Sequence, residues 1–180
     1  MPSLDDLTAG TWNIDGTHST VGFTARHLMI TKVRGRFGAV EGAITIGEDR
    51  LMSSVAATVE MASIDTGDAG RDEHVRGADF FDVENFPTMT FASTGVRGDG
   101  AEYYLTGDLT IKGITKSVEF DVEFDGVGGD PWGGTRVGFT AEAEINRKDW
   151  GIDFNMVLDT GGVMVSDKIK VQLDIEAVKV

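Results

Sequence analysis

The chain of 180 residues carries 30 Asp and Glu against 16 Lys and Arg, a formal net charge of −14, and contains no cysteine. The cysteine count excludes disulfide staples, thiolate catalysis and Cys-based zinc sites. The charge argues against nucleic acid, because a phosphate backbone is met by clustered Lys and Arg. With 41% hydrophobic residues the chain can bury a core in one domain.

Residues 1–10 form a lead-in with two Asp and no Lys or Arg. That is the opposite of a signal-peptide start, and no apolar stretch of the ~20 residues a membrane-spanning helix needs occurs anywhere. The expectation is a soluble cytoplasmic protein with one domain over residues 11–180. Faint period-two alternation runs through 11–15, 19–26, 33–46 and 54–61. It resumes at 88–95 and 102–112. In 116–124 it is strict: Val118, Phe120, Val122 and Phe124 face one way, Glu119, Asp121 and Glu123 the other. The pattern returns in Val137, Phe139, Ala141, Ala143 and Ile145, and again in Ile169, Val171, Leu173, Ile175 and Ala177. Turn signals at Asp15-Gly16, Gly98 to Gly100, Lys112-Gly113 and Gly126 to Gly134 separate the runs. The 24 glycines, roughly 13% against a usual ~7%, suit turns, bulges and sheet corners. Eight or more antiparallel strands with almost no helix leave two architectures, a barrel or a sandwich.

One stretch breaks the alternation. Residues 68–79 are charged, offer Asp68 as an N-cap and place acids early, which predicts a short helix ending near Gly77. Val75 and Ala78 supply a narrow apolar stripe, and Phe80-Phe81 then pack back onto the sheet. The titratable candidates are His18, His27 and His74, with Asp72 and Glu73 beside the last. Consecutive residues 72–74 fan out by about 100° each on a helix and cannot converge on one ion. No GxSxG, HExxH or phosphate-loop pattern occurs. No catalytic residue, metal or cofactor is therefore expected. A rival reading is an enzyme using His27 with Asp72 or His74 on a lipid-like substrate, and a third is a ligand-free interaction module.

Arg34, Arg36, Arg71 and Arg76 either pair with the many acids or meet an anionic head group. Arg34 and Arg36 face outward if Phe37 faces inward. The dry faces mix Phe23, Phe37, Phe91, Phe120 and Phe139 with Ala57, Gly107, Ala141 and Ala143. Trp150, Ile152, Phe154, Met156 and Leu158 share one parity. Met61, Met89, Met156 and Met164 add adaptable apolar side chains. Periodicity does not separate a filled core from a hollow one.

The blocks Asp15-Gly-Thr-His18-Ser19, Phe23, Arg26-His27-Leu28-Met29 and Val33-Arg-Gly-Arg-Phe37 resemble the opening of the YceI-like family of polyisoprenoid-binding proteins. So do Arg71 to Arg76, Asp79-Phe80-Phe81-Asp82, Phe86-Pro87, Leu105 to Thr110, Gly113 to Lys116 and Asn146 to Gly151, in family order. The resemblance implies an extended antiparallel lipocalin-like barrel with a helix near its mouth. It also implies a long-chain apolar ligand in the lumen (an isoprenoid, quinone or fatty amide) and, often, a homodimer. Under it the candidate lining is Phe23, His27, Phe37, Ala57, Met61, Val75, Phe81, Phe91, Phe120, Phe139, Ala141, Trp150, Phe154, Met156 and Met164.

Overall fold

A computed structural model describes residues 2–99, 102–156 and 164–180. The strands are β1 (Gly10–Ile14), β2 (Thr20–His27), β3 (Thr31–Phe37), β4 (Val40–Ile46), β5 (Ser54–Glu60) and β6 (Ile64–Asp65). After helix α1 (Ala69–Arg76) come β7 (Thr88–Asp99), β8 (Glu102–Ile111), β9 (Ile114–Gly129), β10 (Thr135–Asn146) and β11 (Lys168–Lys179). Hydrogen bonds run in the order β1-β4-β5-β7-β8-β9-β10-β11, and β11 returns to β1, closing an eight-strand antiparallel barrel. The barrel form therefore holds over the sandwich.

The closing seam is shared. Ala177 to Lys179 of β11 pair with Ile14 to Trp12 of β1, while Lys170 to Asp174 pair with Thr24 to Thr20 of β2. The same edge thus serves two strands, and β2, β3 and β6 continue from it as a flap. The crossover between β1 and β2 is stitched by Ser19, whose Oγ donates to the Glu176 carbonyl at 3.2 Å and accepts from the Glu176 amide at 3.0 Å.

Alternation places the walls as expected. Val118, Phe120 and Phe124 are buried on β9 while Glu119, Asp121 and Glu123 are exposed. Register shifts at Ser93/Gly95 and Gly138/Phe139 add the curvature that closure requires. The run 33–46 is two strands, not one, interrupted at Gly38 and Ala39. Phe37 is buried and Arg34 and Arg36 are exposed, as their parity predicts.

The helix forms where predicted. Asp68 caps it by accepting from the Arg71 amide at 2.9 Å, and Gly77 ends it with its amide on the His74 carbonyl at 3.1 Å. Its inner face is different from the expected stripe: Ala78 lies beyond the last turn and is exposed, whereas Asp72 is buried. The barrel has two ends. At the foot lie the lead-in, the β9–β10 hairpin and the end of β11; at the mouth lie α1, the β2–β3 hairpin tip and residues 147–156.

Candidate functional site

The lumen is hollow. A cavity of about 390 Å³ runs inside the barrel, from Leu4 at the foot to Met164 at the mouth, within the range of ligand pockets. On β11 its wall passes from Ile169 to Ile175, roughly 20 Å along a strand rising ~3.3 Å per residue. The wall is almost wholly aliphatic and aromatic, with Ile14, Val21, Val40, Val122 and Leu173 among its members.

Two glycines decide where large rings can lie. A Cβ on Gly35 would collide with the ring of its paired residue Phe23, and a Cβ on Gly107, which pairs with Ser93, would collide with the ring of Phe91. Phe91 meets Phe120 edge-on at 5.5 Å.

The foot is shut. Leu4 and Leu7 enter an apolar cluster with Trp12, Ile44, Ile46, Phe124 and Val137. Arg50 ties the lead-in down by donating to the carbonyls of Leu7 at 2.6 Å and Leu4 at 3.4 Å. Leu4 sits in a short 3-10 turn capped reciprocally by Ser3 and Asp6. That capping pattern was the available signal for an ordered lead-in.

Polar side chains gather at the mouth. His27, Thr66, Arg71, His74 and Arg147 all reach the cavity wall. Most have fixed duties. Arg71 donates to the Thr66 hydroxyl at 2.9 Å and carbonyl at 2.6 Å, while Asp72 accepts from the Thr66 amide at 2.7 Å and from its hydroxyl. The Thr66 hydroxyl and amide, helped by Arg76 and Arg71, outweigh burial and hold the Asp72 carboxyl below its usual range. Arg76 reaches the carbonyls of Ala62 and Ile64 at 3.2 and 3.0 Å. The charged block of the helix is thus a set of straps onto β6 and the residues flanking it.

Arg147 is the other strap. It is buried and donates to the carbonyls of Ile152, Phe154 and Ser166 at 2.7, 2.8 and 3.0 Å. Burial lowers its pKa, partly opposed by Asp167 3.6 Å away. Asn155 completes the rim through Met164 and Val165. Residue type alone did not mark Arg147 as buried.

Of the candidate lining, Phe23, His27, Phe37, Ala57, Val75, Phe81, Phe91, Phe120, Phe139, Ala141, Trp150 and Met164 lie on the cavity wall. Three do not. Met61 starts a 3-10 turn that carries it off the face of β5 into the packed core. Phe154 turns instead onto the rings of His74 and Phe80, at 5.1 and 5.2 Å, and Met156 is exposed. Their shared parity fails because residues 147–150 form a 3-10 turn and 152–156 join no ladder. Leu158 lies outside the described residues.

The histidine relay of the rival reading is not assembled. His74 pairs with Asp79 at 2.9 Å, Asp72 is committed to Thr66, and no hydrogen bond joins either to His27 among the described residues. His18 is elsewhere, at the seam with Asp15 and Glu176. That trio has the spacing of a metal site, but a cation already sits there. Arg136 donates to Asp15, Asp130 and Glu176 at 2.7, 2.8 and 2.9 Å.

Comparison with known proteins agrees with this geometry. A UPF0312 protein of Staphylococcus aureus (strain MSSA476) is 41% identical over 170 residues, covering 92% of this chain and 95% of its own. Among solved structures, Burkholderia cenocepacia BcnA superposes with a TM-score of 0.79 at 25% identity, over 91% of this chain and 98% of its own. A Campylobacter jejuni YceI protein follows at 0.74 and 28%, over 86% and 90%. A polyisoprenoid-binding domain from Saccharophagus degradans shares the fold at a TM-score of 0.72 and 12% identity, over 96% and 100%. The YceI-like domain model matches residues 12–177, and the chain belongs to that family.

Proposed function

We propose that this protein binds a long-chain apolar lipid, its tail in the lumen and its polar end at the mouth, and carries or stores it without chemical change. The observation that carries the reading is the hollow, apolar lumen, shut at the foot and lined with polar side chains at the other end. Each CH₂ moved from water into such a lumen contributes roughly 0.8 kcal/mol. A tail of several isoprene or acyl units therefore offsets the cost of immobilising it. His27, whose side chain has no hydrogen-bonded partner among the described residues, is the group free to meet a head group. The polyisoprenoid-binding name of the S. degradans domain supports the same ligand class.

The test is native mass spectrometry with organic extraction of freshly purified protein. A co-purifying hydrocarbon is expected, and protein that never takes up an added isoprenoid or quinone refutes the proposal. Ala141→Trp places an indole on the wall and is expected to abolish uptake while the protein stays folded, at a cost of about 1–3 kcal/mol. Undiminished uptake by the folded variant would remove Ala141 from the site.

A further inference from the structure

The β2–β3 hairpin breaks two rules at its tip. Leu28 and Met29 are the central residues of a turn closed by the Ile30 amide on the His27 carbonyl at 3.1 Å, within a three-residue connection between the paired His27 and Thr31, and both have positive φ, 55° and 57°. Such turns call for Asn-Gly or similar pairs, because a side chain at positive φ is strained. The β8–β9 turn obeys, with glycine as its second residue at Lys112-Gly113. The second breach is exposure: Leu28, Met29 and Ile30 are 37%, 51% and 77% exposed at the mouth.

The surroundings of the tip are as unusual as its shape. In a chain of net charge −14, the stretch from Gly16 to Val40 has four Lys and Arg and no Asp or Glu. All four (Arg26, Lys32, Arg34 and Arg36) lie on the outer face, opposite the lumen residues Phe23, Val33 and Phe37. Lys168 and Lys170 of β11 extend the face into a groove that begins at Met29 and also contains Glu144 and Asp167. Lys168 and Lys170 stand 3.6 Å from Glu144 and Glu142, and Arg36 stands 4.0 Å from Asp65. Arg26, Lys32 and Arg34 have no acidic partner among the described residues.

We infer that the mouth docks on an anionic lipid bilayer, with the Leu28-Met29-Ile30 tip inserted between head groups and Arg26, Lys32 and Arg34 set against lipid phosphates. Apolar residues at an exposed tip with a basic collar satisfy both layers of such a surface, hydrocarbon below and anions above. A soluble polyanion would use the collar but has nothing to offer the tip. Among the described residues the foot lacks the combination: its exposed Leu51 and Met52 follow Glu48 and Asp49, with the Arg50 guanidinium committed to backbone carbonyls, and its exposed Trp132 has Asp130 beside it and Asp15 and Glu176 close by, gathered on Arg136. Docking by the mouth turns the open end of the lumen towards the bilayer. It rests on the outer face and the tip alone, and holds whatever the lumen contains.

The experiment is co-sedimentation of the full chain with vesicles of phosphatidylcholine, with and without phosphatidylglycerol, at low and high salt. Binding is expected only with phosphatidylglycerol, and added salt should weaken it. The Arg26→Gln/Lys32→Gln/Arg34→Gln variant should bind about a hundredfold more weakly, near fivefold per cation. Met29→Ser/Ile30→Ser should lose about tenfold. These positions are exposed, and unchanged thermal unfolding confirms that the variants fold. Because the chain has no cysteine, Ile30→Cys carries a single polarity-sensitive fluorophore, whose emission should shift to the blue on vesicles; the same label on Trp132→Cys should not respond. Equal binding to both vesicle types, no binding, or full binding by the Ser variant overturns the proposal. So does a blue shift that accompanies dimerisation without vesicles, which would assign the tip to a second copy.

Discussion

The two ends of the barrel are closed by different physics. At the foot, Trp12, Phe124, Val137 and Ala177 are almost wholly buried on strands paired to both neighbours, and Leu4 and Leu7 pack beneath them. Dispersion and apolar burial hold that end, with Arg136 and its three carboxylates fastened across the outside. At the mouth no ladder crosses the opening among the described residues. An eight-residue helix of low apolar content and an extended segment lie there, held by Arg71, Asp72, Arg76, Arg147 and Asn155 through hydrogen bonds to backbone. Such bonds have modest net worth each and break singly, so the mouth opens at lower free energy than the barrel unfolds. On the proposed function, a ligand long enough to fill the lumen enters by this end.

The strongest way to break this contrast is Trp12→Ala. It empties a fully buried site and should cost about 3–5 kcal/mol, read as a lowered urea midpoint for the whole molecule. Amide exchange should rise throughout the barrel, because the foot belongs to the global unfolding unit. Loss confined to residues 2–14 would mean that the foot is as independent as the mouth.

Arg147→Met should cost less, about 3 kcal/mol, by leaving the carbonyls of Ile152, Phe154 and Ser166 without their donor. Here the exchange increase should centre on 147–156 and 164–166 while β8 and β9 stay protected. Uniform loss of protection would erase the distinction between the two ends.

The smallest effect sharpens the contrast through acid. Asp15 at the foot is held below its ordinary carboxyl range by the Thr17 hydroxyl and by Arg136, and Asp72 at the mouth by Thr66. A depressed carboxyl pKa contributes stability that is complete above the unfolded value of about 3.9 and is lost as pH falls through the folded value. Asp15→Asn should therefore flatten the acid limb of global stability by about 1 kcal/mol. Asp72→Asn should instead flatten the acid-induced rise of exchange in residues 66–76. If both substitutions act on the same transition, the two ends are coupled.

Much of the wall was legible in the residues themselves. A strand sends neighbours to opposite faces, so period two alone assigned Val118, Phe120, Phe139 and Ala141 to the inside and Arg34 and Arg36 to the outside. Asp68 and Gly77 marked the helix ends because capping is a local hydrogen-bond problem. The same rule misled wherever the backbone left the ladder. Met61, Phe154 and Met156 were assigned by parity or type, and 3-10 turns reset the direction in which their side chains leave the chain.

What the sequence by itself determined is therefore most of the strands (β3 and β4 read as one run, β6 not at all), their wet and dry faces and the helix ends, since each depends on dihedral preference and near neighbours. Tertiary structure alone decided that the sheet closes through one strand edge shared by β1 and β2, that Leu4 stops the foot, and that Arg147 is buried under the rim. It also decided that the interior is hollow. A void is the difference between the volume a closed barrel encloses and the volume of side chains sent into it from eight strands, and no local pattern along the chain encodes that difference.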